Sequence, residues 1–293
     1  MTDAGGHPAE LAPAKINLTL RVVGRRADGY HELESFVVFA DFGDRLSFAP
    51  GGALALTVNG PTAVQAGDGA DNLVLKAARA LAGLIPGLVL GNFHLEKQLP
   101  VAAGIGGGSA DAAAALRLLA RANGLAADDP RLYAAARATG ADVPVCLDPR
   151  PRVMRGVGEL LSDPLSLPPL PAVLVNPGTA LSTKSVFAGW TPAAAPSPPL
   201  DPAALQAARS NEELIERIRA SANDLEVAAI GLAPVIAEVL ADLRALEDCH
   251  LARMSGSGST CFGLFATGSA ADAAANILSG KYPHWWIKSA MLG

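Results

Sequence analysis

A glycine-rich segment that passes directly into an alanine-rich one, from Leu99 to Leu116, constrains this chain more than any other stretch. The glycines of its first part are Gly104, Gly106, Gly107 and Gly108. Glycine has no side chain, so the backbone there can adopt positive φ angles and bring N–H groups close to an anion. The alanines and leucines that follow predict a helix with Ser109 as its N-cap residue. Since helix N-terminal amides and the helix dipole both favour an anion, the segment predicts a phosphate-binding loop.

The loop differs from two familiar phosphate-binding motifs. No Lys-Ser or Lys-Thr pair follows the glycines, so the loop is not a Walker A motif. The run GIGGGSA also does not fit the dinucleotide-binding spacing closely. A flexible turn before a helix is the alternative interpretation of such a loop taken alone.

Length and composition limit the classes of protein that the chain can belong to. Its 293 residues allow about two domains, and 50% hydrophobic with 17% charged residues is typical of a globular protein. The net charge of −5 provides no general attraction to nucleic acid or to an anionic membrane. A polyanionic ligand must therefore be held by local donors.

The cysteines and the N-terminal residues indicate the cellular compartment in which the protein is expected. Cys146, Cys249 and Cys261 are far apart in sequence, which indicates neither a disulfide framework nor a zinc site. The first ten residues lack the basic and apolar regions of a signal peptide, and no apolar run approaches the ~20 residues that span a bilayer. We therefore expect a cytoplasmic protein with reduced thiols and without a membrane or nucleic-acid partner.

Residues 14–23 alternate between apolar and polar side chains, which predicts a strand with one buried face. The apolar positions are Ile16, Leu18, Leu20 and Val22, and the polar positions are Lys15, Asn17, Thr19 and Arg21. Lys15 and Asn17 consequently project from the same face. Taken alone, that polar row favours a solvent-exposed sheet face.

A turn at residues 24–29 is followed by Tyr30 and His31. A flat aromatic ring beside an imidazole can stack on a nucleobase and form hydrogen bonds with it. The alternative is a surface hairpin whose tyrosine covers the edge of the core.

Asp142 is a further residue of interest outside the glycine loop. It lies between the end of a predicted helix and a predicted strand, and Pro144 prevents that helix from continuing. A carboxylate in such apolar surroundings is costly unless it has a cationic or hydrogen-bonded partner. A helix-capping or turn aspartate is the alternative to a functional role.

Periodicity along the rest of the chain predicts an α+β fold. Further strands are predicted near residues 45–48, 54–58, 93–97, 172–175, 250–254, 260–266 and 285–287. Helices are predicted from near Asp71 and over residues 131–139, 203–220, 225–246 and 270–279. The proline-rich run at 163–171 marks the predicted junction between an N-terminal domain, 1–163, and a C-terminal domain, 164–293, and a second proline-rich run at 191–200 predicts a loop.

Five short segments stand in order along nearly the whole chain. They are Pro13–Leu18, Gly24–His31, Pro100–Ser109, Gly140–Pro144 and Ser255–Gly258. Together they resemble the GHMP kinases. The resemblance implies a two-domain GHMP kinase fold, with an N-terminal domain like domain 2 of ribosomal protein S5 and a ferredoxin-like C-terminal domain.

The resemblance also implies ATP-dependent phosphorylation of a small-molecule alcohol. The first two segments together resemble the family member that acts on the cytidine diphosphate conjugate of methylerythritol, in non-mevalonate isoprenoid precursor biosynthesis. The implied reaction transfers phosphate to the 2-hydroxyl group of the methylerythritol unit. The alternatives are another GHMP kinase, for mevalonate, homoserine or a sugar, and a catalytically inactive nucleotide-binding module.

Residue roles are carried over from the family at matching positions. Lys15 and Asp142 match the catalytic lysine and aspartate, and Asn17, Tyr30 and His31 match substrate-binding positions. The ATP-phosphate loop corresponds to Pro100, Val101, Ala102, Ala103, Gly104, Ile105, Gly106, Gly107, Gly108, Ser109 and Ala110. An aspartate can take the proton of the attacking alcohol, and an ammonium group nearby keeps that carboxylate ionised and offsets charge on the phosphoryl group.

The chain departs from the family pattern at Ala110, where many members have a second serine after the glycines. The change leaves the backbone of the loop intact but removes one hydroxyl group that could contact Mg²⁺ or phosphate. We therefore assign no protein metal ligand. Mg²⁺ is expected to arrive with the nucleotide and to keep several water ligands.

Overall fold

A computed structural model describes residues 2–3, 5–192 and 197–293 of the chain. The described residues form ten strands: β1 (Ala9–Arg25), β2 (His31–Pro50), β3 (Ala55–Asn59), β4 (Gly91–Glu96), β5 (Arg152–Gly156), β6 (Leu160–Leu161), β7 (Leu170–Asn176), β8 (Cys249–Met254), β9 (Cys261–Phe265) and β10 (Trp286–Leu292). They also form eleven helices: α1 (Ala63–Ala66), α2 (Leu73–Leu84), α3 (Gly107–Ala122), α4 (Pro130–Thr139), α5 (Val143–Leu147), α6 (Thr183–Ala188), α7 (Pro202–Gln206), α8 (Asn211–Arg219), α9 (Glu226–Leu232), α10 (Val235–Ala245) and α11 (Gly268–Lys281). Of the predicted loop at 191–200, residues 193–196 lie outside the described residues.

The chain divides into two compact units, each assembled from separate segments. The first comprises Met1–Ala14, Phe42–Val101 and Gly106–Pro149, and the second comprises Lys15–Asp41, Ala102–Ile105 and Arg150–Gly293. The sequence predicted two contiguous domains instead. The division into 1–163 and 164–293 stays a prediction.

The first unit combines a small sheet with four packed helices. β4 pairs antiparallel with residues 45–50 of β2 and parallel with β3. The alternating residues Phe93 and Leu95 of β4 are buried, and the rings of Phe48 and Phe93 lie 4.7 Å apart. Each buried phenylalanine contributes roughly 1.5–3 kcal/mol of transfer free energy, so the apolar face of this sheet stabilises the unit.

Helix formation in the first unit follows from local capping and small side chains. The Asn72 side chain caps α2 by accepting a hydrogen bond from the Val74 N–H at 3.0 Å. α3 packs against α2, α4 and α5. Its buried residues are mostly alanines, which allow close helix packing and have the highest helix propensity.

The second unit contains an antiparallel sheet in the order β10-β7-β9-β8. Residues 33–37 of β2 pair with β5, and Leu292 of β10 pairs with Ala40. One apolar cluster joins β7 and β9 to the helices α9, α10 and α11, through residues such as Val173, Ile236 and Leu278. The mixed strand and helix content agrees with the predicted α+β class.

β1 is longer than predicted, and of its polar row three residues are buried while Arg21 is half-buried. Lys15, Asn17 and Thr19 are at most 3% exposed, as buried as the apolar residues between them. A solvated sheet face is therefore wrong for this strand. The buried Thr19 hydroxyl has a hydrogen-bond partner, because it accepts from the Phe36 N–H at 3.2 Å.

Two long predicted helices are each divided in two. The predicted helix 203–220 is α7 and α8, and a new helix starts because the Ser210 side chain caps α8 by accepting from the Glu213 N–H. The predicted helix 225–246 is α9 and α10, since Pro234 cannot donate a helical hydrogen bond and stands where α10 begins.

The predicted strand after Asp142 is wrong, because residues 143–147 form the short helix α5. Pro144 lies in its first turn, where the missing N–H has no helical acceptor to lose. α1 and α6 were not predicted. Most other predicted elements are present with shifted ends. Among the described residues, no helix combines the length and the apolar character needed to cross a membrane.

Candidate active site

The glycine loop leads into a helix, but that helix begins earlier than predicted. α3 starts at Gly107, and its N-cap residue is Gly106, whose φ of +63° is readily adopted only by glycine. Ser109 lies in the first turn, so its predicted role as the N-cap residue is wrong. Ala110 N–H already donates to the Gly106 carbonyl at 2.9 Å, whereas the three preceding helical amides have no acceptor within the helix. The start of α3 is therefore suited to bind an anion.

In the second unit, residues 102–105 of the loop pack against a second glycine and serine loop, residues 255–260. The Ser255 hydroxyl donates to the Gly104 carbonyl at 3.0 Å, and the Thr260 N–H donates to the Ala103 carbonyl at 3.1 Å. A methyl group added at Gly104 would lie 2.5 Å from the Ser255 carbonyl oxygen, and Gly104 has a φ of +75°. Both the space and the backbone conformation require glycine there.

β1 is hydrogen-bonded to both loops. The Lys15 N–H donates to the Ile105 carbonyl at 2.9 Å, and the Asn17 N–H donates to the Ser255 hydroxyl oxygen at 3.1 Å. The Asn17 side-chain amide donates to the Ser35 hydroxyl oxygen at 2.7 Å. Its carbonyl oxygen, Oδ1, is buried without a hydrogen-bond partner among the described residues. A buried acceptor of this kind is available to a ligand hydroxyl group.

Asp142 stands at the junction of two helices in the first unit. α4 ends at Gly140, and Asp142 is the residue before α5. All five residues of α5 are buried, whereas Asp142 is half-buried. The apolar helix therefore fixes the backbone that carries this carboxylate.

His31 begins β2 and lies among aromatic side chains. Its ring is stacked on Phe187, with centroids 4.9 Å apart, and Trp190 approaches it edge-on at 5.7 Å. Burial, and then the positive charge of Arg25, lower the pKa of His31. The imidazole is therefore neutral at pH 7 and has one donor and one acceptor nitrogen. Tyr30 beside it is 65% exposed.

Comparison with known proteins assigns the chain to a family. The profile of the GHMP kinases N terminal domain matches residues 72–148, and that of the GHMP kinases C terminal region matches residues 203–284. A relative from Rhodopseudomonas palustris, named 4-diphosphocytidyl-2-C-methyl-D-erythritol kinase, is 57% identical over 287 residues, which are 96% of each chain. This chain belongs to the GHMP kinase family.

Solved structures of GHMP kinases share its fold. A crystal structure of 4-(cytidine 5'-diphospho)-2C-methyl-D-erythritol kinase, 37% identical, has a TM-score of 0.79 and covers 98% of this chain and 99% of that one. Homoserine kinase from Cytophaga hutchinsonii, 20% identical, has a TM-score of 0.70, with 99% of this chain and 96% of that chain covered. The predicted family and two-domain GHMP kinase fold are confirmed.

The structure brings several predicted site residues of this GHMP kinase together. In the second unit, Ser255 is hydrogen-bonded to both Asn17 and Gly104, and Lys15 is hydrogen-bonded to Ile105. His31 lies beside the aromatic ring of Phe187. Tyr30, Pro100, Val101 and Ala102 lie in connecting segments at the surface or half-buried. In the first unit, residues 106–110 form the N-cap and first turn of α3, and Asp142 precedes α5. The catalytic and binding roles of these residues stay predictions.

Sequence reasoning missed Phe187 and Trp190 as neighbours of His31. They follow His31 by more than 150 positions, in and just after the unpredicted helix α6. The only local signal was the presence of two large aromatic residues in a chain with 5% aromatic residues. Ala110, the departure from the family pattern, is 1% exposed, so its methyl group contributes to the core.

Proposed function

We propose that this chain transfers the γ-phosphate of ATP to the 2-hydroxyl group of 4-diphosphocytidyl-2-C-methyl-D-erythritol, giving the 2-phosphate and ADP in non-mevalonate isoprenoid precursor biosynthesis. The observation that carries the proposal is the aromatic group around His31, which suits a nucleobase on the acceptor. Three relatives with 53–57% identity over at least 96% of this chain carry the name of this activity. Their agreement over the full length supports the same substrate here.

Residues 100–110 are the proposed ATP-phosphate site. The N–H groups that open α3 and the positive end of its dipole favour the phosphates, although the chain has a net charge of −5. Neutral backbone donors held by close packing need no reorganisation when the phosphates bind. The contacts of Gly104 with Ser255 supply part of that rigidity.

Asp142 and Lys15 are the proposed catalytic residues. The Asp142 carboxylate accepts the proton of the tertiary alcohol as the alcohol attacks phosphorus. The Lys15 ammonium keeps that carboxylate ionised and offsets negative charge on the transferring group. Because phosphoryl transfer has a loose transition state, placement and charge neutralisation matter more than base strength.

Asn17 and His31 are proposed to orient the two ends of the acceptor. The buried Oδ1 of Asn17 can accept a hydrogen bond from an acceptor hydroxyl group, since it has no other partner among the described residues. The neutral imidazole of His31 can pair with the cytosine edge, while Tyr30 stacks on the base. Phe187 stacks on the imidazole and so restricts the orientation of that ring.

Mg²⁺ and the cellular location belong to the same proposal. Within the part of the chain that the structure describes, no three His, Cys, Asp or Glu side chains are grouped to hold a metal ion. Mg²⁺ would therefore be bound mainly by the ATP phosphates and water, and would neutralise charge on the phosphates. We place the enzyme in the cytoplasm, with small-molecule substrates and no nucleic-acid partner.

The test is a coupled assay of ADP release with a panel of acceptors. We expect turnover with 4-diphosphocytidyl-2-C-methyl-D-erythritol and little with mevalonate, homoserine, a sugar or free methylerythritol. Equal turnover of a plain polyol would contradict the specific substrate. No ADP release with any acceptor, combined with intact nucleotide binding, would favour the inactive binding module.

A further inference from the structure

A buried cluster of three ionisable side chains lies beside the glycine loop in the first unit. It consists of Lys97, Asp44 and Asp111, all at most 3% exposed. The Lys97 ammonium donates to Asp44 Oδ2 at 2.5 Å and to Asp111 Oδ2 at 2.8 Å. Burying three ionisable groups is costly, so a chain that retains them at one place has either a structural or a functional use for them.

The cluster fixes the backbone that enters the loop. Asp44 Oδ1 accepts hydrogen bonds from the Gln98 N–H at 2.6 Å and the Leu99 N–H at 2.9 Å. The Leu99 carbonyl in turn accepts from the Thr62 hydroxyl at 2.8 Å. The two residues that precede Pro100 therefore have little freedom to move.

The same cluster fixes the helix that leaves the loop. Asp111 lies in the second turn of α3, four residues after Gly107, so its carboxyl group is on the helix face that carries Gly107. A methyl group added at Gly107 would lie 3.5 Å from the Lys97 ammonium nitrogen, which shows that the first turn of α3 rests on Lys97. One ammonium group thus connects the entrance of the loop with the start of the helix.

We propose that Lys97, Asp44 and Asp111 form a latch that positions the two ends of the phosphate-binding loop, so that ATP affinity depends on residues that do not touch ATP. The inference rests on the proposed function only in taking residues 100–110 as the ATP-phosphate site. The latch residues are positioning residues. Breaking the link from Lys97 to α3 would let the first-turn amides shift relative to the residues that enter the loop.

The test compares nucleotide affinity among variants of the full chain. Asp111→Ala removes the link to α3 but leaves the ion pair of Lys97 with Asp44, so no unpaired charge is created. We expect Asp111→Ala to raise the Kd for ADP and the KM for ATP on the order of 10-fold, with a smaller change in kcat. Asp111→Asn retains an oxygen that can accept from Lys97, and we expect it to restore nucleotide affinity at neutral pH.

Arg117→Met is the matched control on the same helix. Arg117 donates to Glu10, to the Leu11 carbonyl and to the Cys146 carbonyl. Its loss therefore also removes hydrogen bonds that hold α3 in place, but at a position ten residues after Gly107. We expect Arg117→Met to lower the melting temperature without changing the Kd for ADP. Asp111→Ala with wild-type Kd and KM and a similarly lowered melting temperature would overturn the proposal, since the cluster would then be structural only.

If Asp111→Ala does not fold, the comparison uses Asp111→Val, which removes both carboxyl oxygens, has no hydrogen-bond acceptor in its side chain and leaves no cavity. The same increase in Kd is expected of it, and wild-type affinity would again overturn the latch. Calorimetric titration with ADP needs no acceptor substrate. If the wild-type chain binds ADP but does not phosphorylate the cytidine diphosphate acceptor, the proposed function fails while the comparison of Kd values still tests the latch.

Discussion

Replacement of Gly104 by alanine tests whether close packing of the two loops sets the geometry of the phosphate site. The new methyl group would lie 2.5 Å from the Ser255 carbonyl oxygen, 2.7 Å from the Gly258 nitrogen and 2.8 Å from the Gly258 carbonyl oxygen. All three are backbone atoms, so no flexible side chain can move aside. Since ordinary contact begins at 3.4 Å, one loop must move by about 0.9 Å relative to the other.

Two effects add to the cost of the Gly104→Ala substitution. Alanine at a φ of +75° is strained by roughly 1–2 kcal/mol, and forcing a methyl group into packed backbone costs typically ~1–3 kcal/mol more. We expect the free energy of unfolding to fall by roughly 2–5 kcal/mol. A displacement near 1 Å at a phosphate site also lowers kcat/KM for ATP on the order of 100-fold.

Gly124→Ala is the control for backbone strain alone. Gly124 follows the end of α3 with a φ of +65°, and no atom lies within 4 Å of the position that its new methyl group would take. Urea unfolding should show a loss of roughly 1–2 kcal/mol, and steady-state kinetics should be unchanged. If Gly104→Ala loses no more stability than Gly124→Ala and keeps the wild-type kcat/KM for ATP, contact between the loops does not set the site.

Three further outcomes are expected. Asp142→Asn should lower kcat by about 10²–10⁴-fold while calorimetry shows unchanged ADP binding, and wild-type turnover would remove Asp142 from the mechanism. His31→Ala should raise the KM for the cytidine diphosphate acceptor with little change in kcat, and an unchanged KM with a low kcat would contradict base recognition. Burial raises the pKa of Asp111 to about 8 despite the opposing charge of Lys97, so the folded state holds a proton that the unfolded chain releases near pH 4. The protonated group therefore stabilises the fold fully below about pH 4, and this contribution is lost as the pH rises towards the raised pKa of the folded state. Urea unfolding at several pH values should show this slope in the wild type and lose it in Asp111→Asn.

Local patterns predicted the elements whose structure depends on neighbouring residues. The alternation of Ile16, Leu18 and Leu20 identified β1, and the helical spacing of Val74, Ala78 and Leu81 identified α2. These signals hold because a strand or an amphipathic helix repeats its buried side chains at a fixed period. The same alternation could not show that Lys15 and Asn17 are buried as well, since their partners, Ile105 and Ser255, come from distant segments.

The errors at the glycine loop have a similar origin. Serine is a better N-cap residue than glycine in most helices, which favoured Ser109. The chain instead turns at Gly106 with a φ of +63°, a conformation that costs serine more than glycine. The composition correctly predicted a loop followed by a helix, whereas the capping preference misplaced the boundary between them. The aromatic neighbours of His31 were beyond any local pattern, because α6 has only six residues and one buried position.

Ser255 links family motifs that lie far apart in the sequence. Its hydroxyl group accepts from the Asn17 N–H, 238 residues earlier, and donates to the Gly104 carbonyl, 151 residues earlier. Ser255 is fully buried, and losing its hydroxyl would leave the buried Asn17 N–H unpaired and would remove the hydrogen bond to the half-buried Gly104. The strand proposed to orient the acceptor and the loop proposed to hold the ATP phosphates are therefore positioned by the same side chain. A substitution that displaces the 255–260 loop should affect both substrates together, because that loop is bonded to both segments and the Lys15 N–H joins them directly through the Ile105 carbonyl.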